Sequence, residues 1–214
     1  MNLVPLKTFI RKLEARGSFD TIWGGIKKAD YPSHNLTQMS VGEVLDWQRR
    51  IRAKGYASTA CGGYQFIYKT LSALVSQSKV PHSTKFDAAL QDTFAERLMA
   101  ARGLGKYISG QISAEAFCNE LAKEWASLPL VNGPNKGRSY YHGDGLNKSL
   151  TDVGPFLDAV KAIKSEPVVK TDAERSTGKV ATQTGIGVAL TAALLAIASW
   201  WDQIETWFRS IFGG

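Results

Sequence analysis

The sequence predicts an α+β domain, mostly α with one short β-hairpin, followed by a single C-terminal transmembrane helix. Three observations carry that reading. Apolar residues recur every three to four positions in several separate segments, the spacing of a helix face. Phe19, Ile22 and Trp23, just ahead of Gly24-Gly25, have the character of a short strand and turn. From Val180 to Trp201 run 22 residues without a charge, enough to cross a bilayer core. With 214 residues, 44% of them hydrophobic, the chain can bury one sizeable core and still spare a tail.

Taken in order, Leu6, Phe9, Ile10 and Leu13 place one apolar face on a helix over residues 3–16, with Gly17 where a C-cap glycine is expected. Residues 26–39 are polar and loop-like, punctuated by Lys27-Lys28, Pro32 and His34. His34 has no Cys or His at metal spacing, so it reads as a surface residue. Ser40-x-x-Glu43 is a capping box ahead of Val44, Leu45 and Ile51, and that helix should run to Lys54 and stop at Gly55. A turn at Tyr64-Gln65-Phe66 leads into a helix around residues 68–78. Phe86, Leu90, Phe94 and Leu98 repeat every four residues and predict a long buried helix ending before Gly103. Phe117, Leu121, Trp125 and Leu128 predict another, closed by Pro129. Phe156, Val160 and Ile163 mark the last helix of the domain. Many helices and one hairpin make an α+β domain dominated by α.

Two stretches carry chemistry. Glu14 lies at the margin of the first helix's apolar face, where a carboxylate is partly desolvated, and the glycine-hinged run Asp20 to Gly25 follows it. The second stretch is Ser58-Thr59-Ala60-Cys61-Gly62-Gly63-Tyr64-Gln65. With Trp125-Ala126-Ser127-Leu128-Pro129, these motifs resemble, in order, those of the phage lysozymes of the bacteriophage lambda type. The resemblance spans roughly residues 5–160, and Gly63 stands where many of that type carry an arginine. It implies a lysozyme-like domain that cleaves peptidoglycan between N-acetylmuramic acid and N-acetylglucosamine. Glu14 is then the catalytic acid, with Asp20 beside it and no cofactor or metal. Leu13, Phe19, Trp23 and Tyr64 are the candidates to shield Glu14, since apolar surroundings keep a carboxyl protonated near neutral pH. Tyr64, Gln65, Ser58 and Tyr141 are the candidate substrate-binding residues, with turn structure and packing as their other reading. Asp20 decides the reaction type. As a base for water it makes a muramidase; as a supporting residue it leaves a lytic transglycosylase with 1,6-anhydro products, which the resemblance implies. A catalytically dead, membrane-anchored wall-binding protein is the alternative from another class.

The net charge of +7 is unevenly placed, with seven basic and no acidic residues from Trp47 to Phe86. That pattern fits either attraction to a polyanion or ordinary solvated helix faces. No nucleic-acid-binding signature is present, so an anionic cell envelope is the expected partner. Cys61 and Cys118 form no metal cluster and read as small thiols, a single bridge between them staying open. The N-terminus has no apolar signal segment, which predicts synthesis in the cytoplasm for work on periplasmic peptidoglycan.

The domains expected are a catalytic unit at 1–164, a flexible linker at 165–183, a transmembrane helix at 184–201 and an amphipathic interfacial tail at 202–214. The linker holds three acids, three bases and no aromatic ring. A helix over the uncharged run would span about 30 Å, and Trp200, Trp201 and Trp207 sit where interface aromatics do. Membrane lipid is therefore an expected partner, with a holin or a virion membrane as further candidates. Lys170, Arg175 and Lys179 precede the run and only Arg209 follows it, a bias that keeps the catalytic unit in the cytoplasm. Waiting for a breached membrane, an exceptional tail anchor and delivery by a virion all stay open as routes to the wall.

Overall fold

A computed structural model describes residues 1–145 and 147–164. Seven α-helices are seen among them: α1 (Val4–Ala15), α2 (Val41–Ala53), α3 (Tyr68–Gln77), α4 (Ala88–Ala101), α5 (Leu104–Ile108), α6 (Ala114–Ala122) and α7 (Val153–Lys161). Short 3₁₀ turns lie at Lys28–Asp30, Leu36–Gln38 and Ala162–Lys164. The linker, transmembrane helix and tail expected at 165–214 lie outside the described residues. Among the described residues, no helix is long and apolar enough to cross a membrane.

Local chemistry explains most boundaries. α1 opens on Pro5, which suits a first turn because its missing N–H would have no helical partner there. Leu6 and Ile10 are fully buried along its inner face. It closes one residue earlier than the glycine predicts: Arg16 takes the left-handed conformation at φ 52°, with Gly17 following at φ 87°. The amides of both reach back to the Arg11 carbonyl. Ser40 and Glu43 form the reciprocal capping box expected of them at the start of α2. Asp87 caps α4 by accepting from Leu90 N–H at 2.9 Å, so that helix begins after Phe86.

Two elements differ from expectation. The hairpin is reduced to isolated antiparallel bridges, Ile22 with Cys61 and Cys61 with Phe66. Gly62 at φ 80° and Gln65 at φ 52° bend the chain too tightly for a continuous ladder. The helix expected to reach Pro129 stops at Ala122. Trp125 and Leu128 are buried as their spacing implies, but they lie in turns. There the Trp125 indole N–H donates to the Tyr64 carbonyl at 3.3 Å. A four-residue apolar repeat reports burial, and two successive turns satisfy it as well as a helix does. α5, preceded by Gly103 at φ 94°, is too short to show a period.

The core is continuous. α7 packs on α6 and α1, and α2 on α3. Phe9 stacks on fully buried Phe156 with ring centroids 6.2 Å apart, which ties the first helix to the last. Burying a ring of that size contributes about 1.5–3 kcal/mol. The end of α1 is thereby held against the chain that follows α6.

Candidate active site

Glu14 is the penultimate residue of α1. Its carboxylate reaches a segment 113 residues away, where the Ser127 hydroxyl donates to Oε1 at 2.5 Å. Ser127 is itself buried, between Trp125 and Leu128, and its carbonyl accepts from Leu150 N–H at 2.9 Å. Burial pushes the Glu14 carboxyl above its ordinary pKa; hydrogen bonds from the Ser127 side chain and backbone pull the other way without cancelling it. Among the described residues no cation is paired with it. A carboxyl that is desolvated and unpaired holds its proton to higher pH, as a general acid must.

The turn Cys61–Phe66 is held between two helices by buried amides that the sequence reading missed. From α4, the Gln91 carbonyl oxygen accepts from Gly63 N–H at 2.8 Å. Its NH₂ donates to Phe86 O at 2.9 Å and Phe19 O at 3.1 Å. From α2, the Gln48 NH₂ donates to Thr59 O and Phe66 O, both at 2.8 Å. A Cβ on Gly62 would stand 2.6 Å from the Gln91 oxygen, so the clamp itself requires glycine there. Gly63 lies against Arg11 of α1; a Cβ there would come within 2.9 Å of its side chain. The Arg11 guanidinium stacks over Phe19 at 4.3 Å.

The candidate residues fall into distinct places. Gln65 and Tyr141 line one cavity of about 250 Å³ together with Trp125, Lys123, Glu124 and Arg102. The Gln65 NH₂ donates to Gly62 O at 2.9 Å and Thr21 O at 3.3 Å, leaving its carbonyl oxygen as an acceptor in the cavity. The Tyr141 hydroxyl donates to Lys123 O at 2.6 Å. Ser58 lies in a neighbouring cavity and accepts from Ala60 N–H. Tyr64 is buried, and its hydroxyl donates to Asp92 at 2.5 Å, which with burial pushes its pKa up. It offers no exposed polar group to a sugar. Asp20 accepts from Thr37 at both oxygens, from N–H at 2.8 Å and from Oγ1 at 3.3 Å, so it ties the segment after α1 to the Leu36–Gln38 turn. Phe19 and Trp23 are partly buried against the core, as is Leu13.

A second partly buried carboxylate, Glu124, was also missed, although it directly precedes the Trp125–Pro129 motif. Burial raises its pKa, while Arg102, at 3.0 Å through both Nε and Nη2, favours the charged form. That ion pair gives Glu124 a structural role which unpaired Glu14 lacks. Cys61 and Cys118 are free and buried, so the bridge left open by the sequence is not formed. Burial lifts both thiols, Cys118 to about 12, which keeps them unreactive near neutral pH.

The domain is mostly helical, with a desolvated carboxyl at the end of its first helix and an amide- and aromatic-lined cavity whose lining residues do not include that carboxyl. The endolysin family model matches residues 7–155, a span that contains Glu14, the Cys61–Phe66 turn and Ser127. The chain belongs to the endolysin family, and its substrate is the peptidoglycan that such phage enzymes degrade. No curated protein and no solved structure matches it.

Proposed function

We propose that this endolysin cleaves the β-1,4 bond between N-acetylmuramic acid and N-acetylglucosamine as a lytic transglycosylase of the lambda lysozyme type, with Glu14 as its single acid and base. The observation that carries the reading is the largely desolvated Glu14 carboxyl, held by Ser127 and, among the described residues, unpaired with any cation. Protonated Glu14 gives its proton to the bridging oxygen, and the C1–O bond breaks with oxocarbenium character at C1. The resulting carboxylate then takes the proton of the muramoyl 6-hydroxyl as that oxygen bonds to C1. The ring closes to a 1,6-anhydro end, no water is consumed, and Glu14 is protonated again. Gln65, through its carbonyl oxygen, and Tyr141 line the cavity that would receive sugar N–H and hydroxyl groups.

Asp20 favours this over a muramidase, because both of its oxygens already accept from Thr37. Digested peptidoglycan should carry mainly 1,6-anhydro ends, lighter by one water than reducing ends in mass spectra. Asp20→Asn should leave that product ratio unchanged. A majority of reducing ends that disappears in Asp20→Asn would make Asp20 a general base and the enzyme a hydrolase.

On sequence grounds we also propose that residues 184–201 anchor the domain to a membrane through the linker at 165–183. As a random coil, that linker gives a reach of about 20–25 Å, which raises the enzyme's local concentration at the wall. Full-length protein should sediment with membranes through a carbonate wash, while a chain ending at Glu174 stays soluble and active. Full-length protein that remains in the supernatant without detergent excludes the anchor.

A further inference from the structure

Two cavities of about 590 and 410 Å³ lie along the face shared by α2 and α3. Tyr68, Ser72 and Ser76 line both, so the two form one trough. Its cations are Arg52 and Lys69 in the first cavity and Arg49 and Lys79 in the second, and no carboxylate is among the described residues lining either. Asp46 pairs with Arg49 from the same helix, which leaves the balance along the trough positive. Arg52 lies over the Tyr68 ring at 5.8 Å. Ile67 lines both the first cavity and the 250 Å³ cleft holding Gln65 and Tyr141, so the trough runs on from the candidate site.

We propose that this trough is an extended subsite for the anionic peptide stems of peptidoglycan, resting on the reading that the glycan strand passes Glu14 and Gln65. The chemistry divides the surface into two zones. In peptidoglycan the sugar backbone is neutral wherever a stem is attached, and the free carboxylates belong to the stems. The Gln65–Tyr141 cleft presents an amide oxygen and aromatic rings, which suit sugars. The trough presents guanidinium and ammonium groups interleaved with the hydroxyls of Ser72 and Ser76, which suit carboxylates and peptide amides. A strand seated at Glu14 therefore lays its stems along α2 and α3, which also accounts for the acid-free stretch from Trp47 to Phe86. A lipid surface fits less well. Binding in a headgroup layer takes a projecting apolar face, and Ile67 is the one exposed large aliphatic residue lining this concave trough.

The test compares binding of full-length Glu14→Gln protein, in mild detergent, to intact sacculi and to the same sacculi with their stem carboxylates converted to neutral amides by carbodiimide and ammonia. Intact sacculi should bind about tenfold more tightly at low salt, as expected of a few exposed charge pairs acting together. Arg52→Gln/Lys69→Gln, two exposed positions, should erase that advantage. So should about 0.5 M salt in the unsubstituted trough, where screening shortens the reach of exposed charges to a few ångströms. Equal binding to intact and amidated sacculi, or an advantage that survives the double substitution, overturns the proposal. Binding to anionic phospholipid vesicles that falls in parallel with the double substitution overturns it in favour of a lipid site. Failure of the Glu14 reading looks different, because soluble muropeptides would then appear with Glu14→Gln. The affinity ratio would still be read in the cold, before digestion.

Discussion

Glu14→Gln is expected to lower peptidoglycan clearing by a factor of about 10³ or more, since it removes the only proton donor that the proposed mechanism uses. The same substitution should not weaken the fold. Burial holds the Glu14 pKa above its unfolded value of about 4.3. The folded state therefore binds the proton more tightly than the unfolded chain, and stability is lost as pH rises from the unfolded toward the folded pKa. Glutamine carries no such ionisation cost and can still accept from the Ser127 hydroxyl. Glu14→Gln should thus melt at or above the wild-type temperature at neutral pH, with the difference closing below about pH 4. Ser127→Ala supplies the complementary result. The Ser127 bonds favour the charged form of Glu14, so their loss should move the alkaline limb of the pH–rate profile to higher pH. The shift should be partial, because the backbone amide of residue 127 remains. A Glu14→Gln protein that clears walls at more than about a hundredth of the wild-type rate would falsify the assignment.

Gln91→Leu should be the most damaging substitution to stability among the polar residues, at about 3–5 kcal/mol from three hydrogen bonds lost together, two of them buried. Leucine fills much of the space but leaves Gly63 N–H, Phe86 O and Phe19 O without protein partners, the first two of them out of reach of water. For a domain of this size the midpoint should fall by roughly 10 °C. Gln48→Leu should cost less. It also strands two carbonyls, of Thr59 and Phe66, but it removes the Gln48 carbonyl oxygen, which is buried and has no partner. Thermal or urea unfolding of the two variants reads the order directly. Equal losses, or the larger loss at Gln48, would mean that the turn is not clamped mainly from α4. Both variants should also lose activity in excess of their unfolded fraction, because the clamped turn carries Gln65.

The sequence by itself determined the helical character, most helix starts and the placement of Glu14 at the end of the first helix. α1, α2, α3, α4 and α7 are marked by apolar spacing and by local caps such as Ser40–Glu43, interactions that close within a few residues. The position of Glu14 at the end of α1 is legible for the same reason. Tertiary structure alone decided what that carboxyl meets. Ser127 lies 113 residues away, and the Gln91 clamp joins α4 to a segment 72 residues earlier, so neither leaves a local pattern. Tyr64 shows the same limit from the other side. Its sequence presents a ring with a polar tip, and only the fold buries that tip on Asp92 and leaves Gln65 with an acceptor in the cleft. α6 ends at Ala122 because the apolar repeat beyond it encodes burial, and the Trp125 indole finds its partner across the core on Tyr64. Periodicity records which residues leave water, whereas hydrogen-bond partners depend on which distant backbone groups packing brings within 3 Å.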